Sequence, residues 1–180
     1  AAISSATVVP ATDVAGATGT ATVTFTTGAS VPVDGKILIT FPANYDLTGT
    51  PVATKTGGGF DGTLTVTVAA QVLTITRGGD GAIATAAEQT LTLTNIKNPA
   101  FAGATTTFTI TTDQSDGTDI ETLTTVPART ITAGVIGTAS VVPADDVAGA
   151  SGTATVTFTT ANPVPADGTI VITFPANYDL

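Results

Sequence analysis

Apolar and polar residues alternate with a period of two through most of the chain. In 20–27, Ala21, Val23 and Phe25 fall on one face and Thr20, Thr22, Thr24 and Thr26 on the other, the spacing of a strand that buries one side only. The same scheme runs through 5–9, 36–41, 62–68, 71–76, 89–94, 106–112 and 118–124, which predicts about eight strands at the spacing of a sandwich. A weak helical signal lies in 82–89, AIATAAEQ, where a turn or two of helix or a plain loop is expected.

The punctuation agrees with that count. Asp34-Gly35 and Asp116-Gly117 supply the left-handed backbone of tight hairpin turns, and the glycines at 57–59 and 78–79 open wider loops. Pro10, Pro32, Pro42, Pro51, Pro99 and Pro127 stand at predicted strand ends, where a missing amide hydrogen breaks no ladder. The 42 threonines among 180 residues sharpen the reading, because β-branched side chains favour strands and disfavour helices. The fold class expected is all-β: an immunoglobulin-like antiparallel β-sandwich.

A long internal repeat is the most specific feature. Residues 3–47 align with 136–180 without a gap at an offset of 133, with 34 identities and 11 differences. VVPATDVAGATGTATVTFTT becomes VVPADDVAGASGTATVTFTT, and KILITFPANYDL becomes TIVITFPANYDL. A period of 133 exceeds a solenoid repeat and matches a whole domain, so a tandem array is expected: a complete repeat over 1–133, and the first three strands of a second over 134–180. Val141, Val142, Val156, Phe158, Ile170, Ile172 and Phe174 then need an opposing sheet. Leaving seven such side chains in water forfeits about 10–20 kcal/mol, as much as a typical domain's whole stability. Completion by chain continuation or by a neighbouring subunit is expected, as is an N-terminus that is a cut or processed end. The junction 124–142 is short and partly β-like, which predicts a fixed angle between repeats and hence a rod or helix.

Composition narrows the chemistry. A net charge of -9, with 5 Lys and Arg against 14 Asp and Glu, argues against nucleic acid and against an acidic membrane surface; no membrane insertion is expected. His, Cys, Met and Trp are absent, which removes imidazole and thiol chemistry and the usual zinc and haem ligands. No enzyme activity is expected: Asp34 and Asp46 sit at predicted turns, with no aromatic platform for a glycosidase.

The candidate sites each have a plainer account beside them. Asp113, Asp116 and Asp119, with Glu121 nearby, offer oxygen ligands for Ca²⁺, but a hairpin with solvated carboxylates explains the same letters. Asp13 and Asp145-Asp146 form a second acidic candidate, weakened because Thr12 stands where the second copy has Asp145. Lys36, Lys55 or Lys97 with Asn44, Asn95 or Asn98 suggests an isopeptide crosslink, although Lys36 becomes Thr169 in the second copy. No N-glycosylation sequon occurs. The outward threonines, among them Thr22, Thr24, Thr65, Thr92, Thr109, Thr155 and Thr157, are candidates for O-linked glycans, and polar strand residues need no further reason. Thr-x-Thr rows also occur on ice-binding faces, which need flat strands where sandwich sheets twist.

The strings GTATVTFTT, DGKILITFPANY, TLTLTNIKNP and TTTFTITTDQSDG resemble the tandem immunoglobulin-like repeats of very large secreted microbial and algal proteins and of fibril-forming surface polymers. The resemblance covers essentially the whole chain and carries no active site. It implies an extracellular or cell-surface, array-forming role: a structural subunit of a helical filament that binds itself and needs no cofactor. The alternative is a surface stalk or adhesin module with Ca²⁺-dependent carbohydrate binding.

Overall fold

The computed structural model describes residues 1–79 and 86–180, and the 82–85 part of the segment read as helix or loop lies outside them. The chain divides into two compact units, Ala1–Gly134 and Val135–Leu180.

The first unit is antiparallel and all-β. Its strands are β1 (Ser4–Pro10), β2 (Thr18–Thr26), β3 (Lys36–Thr40), β4 (Ala53–Gly57), β5 (Thr63–Ala69), β6 (Val72–Gly78), β7 (Glu88–Lys97), β8 (Gly103–Ala104), β9 (Phe108–Asp113), β10 (Asp119–Val126) and β11 (Thr130–Ile131). One sheet runs β1-β2-β7-β4 and the other β10-β9-β3-β6-β5, with a small β11-β8 pair beside them. The two large sheets share one core. Val8, Val23, Phe25, Leu91 and Leu93 come from the first, and Ile37, Ile39, Leu73, Ile75, Phe108 and Ile110 from the second, as a β-sandwich requires. Alternation delivers these residues inward: in β2, Ala21, Val23 and Phe25 are fully buried while Thr20 and Thr22 stay exposed.

Three features differ from the sequence reading. The strand β4 was not expected, because ATKTG carries a single apolar residue at its start and forms an edge that buries only Ala53. Glu88, within the segment read as helix or loop, opens β7 instead. Asp34-Gly35 is not a hairpin turn, since β2 and β3 belong to different sheets. Gly35 has no left-handed backbone and is required for space: a Cβ there would lie 2.6 Å from Val31 Cγ1 and 2.9 Å from the Asp113 carbonyl oxygen. Gly117, by contrast, has φ of 90° at the β9–β10 turn, as that turn demands.

The second unit contains one hairpin, β12 (Gly137–Pro143) and β13 (Ala154–Thr159). Its register, Gly137↔Thr159, Ser140↔Thr157 and Val141↔Val156, reproduces Ser4↔Thr26, Thr7↔Thr24 and Val8↔Val23 with the irregularity in the same place. Positive φ values recur too, at Ser5 and Thr138, Gly16 and Gly149, and Asn44 and Asn177. Two strands form where three were expected. Residues 169–173, the counterpart of β3, carry no strand assignment. β3 is a central strand bonded to β6 on one side and β9 on the other, so its hydrogen bonds depend on segments with no counterpart in 135–180.

Candidate functional site

The acidic cluster is built on the β9–β10 hairpin. Asp113 ends β9 and Asp119 opens β10, directly across from it, whereas the Asp116 Oδ1 accepts from the Thr118 amide at 2.9 Å. That bond holds the Asp116 carboxyl below its ordinary range, which is turn chemistry. Asp113 is nearly buried, and one carboxylate oxygen has no partner. Burial pushes its carboxyl up, Asp119 adds to this, and Lys36 opposes it. Among the described residues, no group of three or more acidic side chains gathers to hold a metal. Asp13 is taken by Arg129, whose Nε and Nη2 donate to its two carboxylate oxygens.

Of the lysines and asparagines singled out for crosslinking, Lys55, Asn95 and Asn98 have other partners. Lys55 pairs with Asp61. The Asn98 Nδ2 donates to the carbonyls of Thr12 at 2.7 Å and Val14 at 3.0 Å, and the Asn95 Nδ2 to that of Thr50 at 3.3 Å. The glycan candidates lie on outward positions: Thr22, Thr65, Thr155 and Thr157 are exposed, and Thr24, Thr92 and Thr109 are half-buried. Cross-strand pairing sets them in rows, with Thr22 beside Thr92 and Thr92 beside Thr54. A groove of about 650 Å³ lies between the 45–51 segment and β5–β6. Its carboxylate, Asp46, is engaged by the Thr48 amide and hydroxyl.

The repeated face is where the structure departs most from a finished surface. All thirteen buried apolar positions between Ile3 and Leu47 carry the same residue 133 positions on, and the 11 differences fall at exposed or half-buried positions. The environment of the copies is opposite. Val8 is 1% exposed and Val141 42%, Ile39 0% and Ile172 40%, Tyr45 2% and Tyr178 53%. Val156, Phe158 and Phe174 are half-buried. Val142 needs no cover, because its counterpart Val9 is itself outward-facing and 40% exposed. In the second unit Val141, Val156, Phe158, Val164, Ile170 and Ile172 line an apolar groove of about 340 Å³. Their counterparts in the first unit are buried in the core that the two sheets share.

The aromatic residues show the same difference between the copies. Phe41, Tyr45 and Phe108 form a triad with centroids 5.4–5.6 Å apart. Phe174 and Tyr178 repeat the first pair at 5.4 Å, and 135–180 has no counterpart of Phe108.

Sequence reasoning missed the buried polar residues of the first unit. Arg77 is 1% exposed. Its Nε donates to the Asp61 carbonyl at 2.8 Å, its Nη1 to those of Val31 and Pro32 at 3.3 and 3.4 Å, and its guanidinium sits 5.7 Å from the Phe60 ring centroid. Strand parity was the available signal, since Leu73, Ile75 and Arg77 share one face. Gln89 likewise follows the inward parity of Leu91 and Leu93.

No protein-family model matches the chain and no curated protein matches it. Among solved structures, the crystal structure of BslA, a bacterial hydrophobin, aligns over 74% of this chain and 98% of its own at 14% identity with a TM-score of 0.41. That likeness is too distant to bear on fold or role.

Proposed function

We propose that the chain is a structural subunit of an extracellular helical filament, built from head-to-tail immunoglobulin-like repeats of about 133 residues. Each repeated apolar face is covered by strands built like residues 48–133, from continuing chain or from a neighbouring subunit. The observation that carries this reading is the second copy. It keeps every apolar side chain that the first copy buries, in a hairpin of the same register, with its face uncovered. Water-facing positions drift between copies while core-facing ones do not, as expected if both faces are shaped to meet the same kind of sheet. Threonine on the outward positions suits a fibre surface and leaves room for O-linked glycans.

The test is a chain with a second 48–134 segment appended after Leu180, the appended copy carrying Asp113→Asn and Glu121→Ala. Completion predicts that binding of a hydrophobic dye falls and that a second cooperative unfolding transition appears. Electron micrographs of the native material should show regular helical filaments. Unchanged dye binding in the extended chain, or single monodisperse rods in the micrographs, refutes the reading.

A further inference from the structure

We propose that Glu121 and Asp113 make the 48–133 sheet surface selective for the first copy over the second, so that the second copy takes a cover lacking buried carboxylates at those two places. This rests on the completion reading above and names its specificity-determining residues.

The sheet surface touches the first copy through three buried charged side chains. Arg77 binds the carbonyls of Val31 and Pro32, and its amide donates to the Gly35 carbonyl at 3.0 Å; all three residues are kept, as Val164, Pro165 and Gly168. The two carboxylates meet residues that change. Glu121 is 4% exposed, and both of its oxygens accept from the Gly28 amide at 3.1 Å. The second copy has Ala161 in place of Gly28. A Cβ at position 28 would lie 2.8 Å from Glu121 Oε1, and the carboxylate can swing aside only by lengthening the hydrogen bonds it accepts from that amide. That Cβ would also crowd the backbone of Ala2 at 2.8 Å, but Ala2 lies beside the first copy, as Val135 lies beside the second, so this strain travels with the copy. Of the contacts such a Cβ would make, the one to Glu121 discriminates.

Asp113 provides the second difference. Its cross-strand partner is Lys36, the ammonium group that opposes its burial. The second copy has Thr169 there, which would leave the buried carboxylate without that charge. Both mismatches therefore fall on the acidic side chains, while the apolar face and the Arg77 contacts are unchanged.

Tyr178 reports which copy is seated. With Tyr45→Phe, Tyr178 is the chain's one tyrosine, and acrylamide quenching after refolding reads its accessibility. In this background Tyr178 should stay quenchable. Exchanging the keys (Gly28→Ala, Lys36→Thr, Ala161→Gly, Thr169→Lys) should invert the preference, with the seated fraction of the second copy rising about tenfold or more. Changing only the second copy (Ala161→Gly, Thr169→Lys), or neutralising the cover (Glu121→Ala, Asp113→Asn), should bring the copies near parity. Either of these keeps the test decisive if the fourfold variant fails to fold. Equal protection of Tyr178 in all chains overturns the selectivity and leaves completion standing. A Tyr178 that stays accessible in every chain overturns both.

Discussion

Phe25→Ala and Phe158→Ala compare one substitution in two copies of the same string, TATVTFTT. Phe25 is fully buried in the shared core of the first unit, whereas Phe158 is half-buried on an uncovered hairpin. Truncating a buried phenylalanine removes its transfer free energy and leaves a cavity, a loss of about 3–5 kcal/mol. With a urea dependence of about 2 kcal/mol per M, that lowers the first unit's midpoint by about 1.5–2.5 M. Loss of this partly buried side chain removes about 1–2 kcal/mol from the hairpin, and Phe158 is not part of the first unit's core cluster. The first unit's midpoint should then move by no more than about 0.5 M. Tyrosine fluorescence and far-ultraviolet circular dichroism follow the transition, with Tyr45 buried in the first unit. In the extended chain with a second cover, Phe158→Ala should come to cost as much as Phe25→Ala does here. Equal shifts for the two variants in the chain without the second cover, or a Phe25→Ala shift under about 0.5 M, would refute the assignment of the two faces.

Tyr45 has a buried hydroxyl without a partner, and burial raises its pKa to about 12. The unfolded phenol ionises near 10, so between these values the unfolded state loses a proton that the folded state keeps, and stability must fall as pH rises from about 10 to 12. Tyr45→Phe should flatten that loss in alkaline denaturant titrations. Asp113 is raised in the folded state, which makes its ionised form a liability at neutral pH. Asp113→Asn should therefore stabilise by about 1 kcal/mol near pH 7, with the gain vanishing once acid protonates the wild-type carboxyl. Gly62→Ala should unfold the β5–β6 edge, because Gly62 has φ of 96° and a Cβ there would collide with the Gly78 carbonyl oxygen; hydrogen exchange at Thr63 and Leu64 would show it. Millimolar Ca²⁺ should leave the melting temperature unchanged, since the Asp116 carboxylate is committed to its own turn.

The strands and their inward faces were legible because a strand's side-chain parity is local: Ala21, Val23 and Phe25 point inward wherever the strand is placed. The hairpin is local too. β12–β13 recovers the register of β1–β2, with its irregularity and its left-handed residues, although no second sheet covers it. Tertiary structure decided what parity cannot. The same apolar string is a central strand at Lys36–Thr40 and no strand at 169–173, because its hydrogen-bond partners come from distant β6 and β9. Whether Glu121 and Asp113 were solvated ligands or buried contacts was equally undetermined by their spacing, since a carboxylate's surroundings are set by the chain that folds over it. The sequence by itself determined which residues turn inward; only the packed sandwich determined which of them are covered, and at what electrostatic cost.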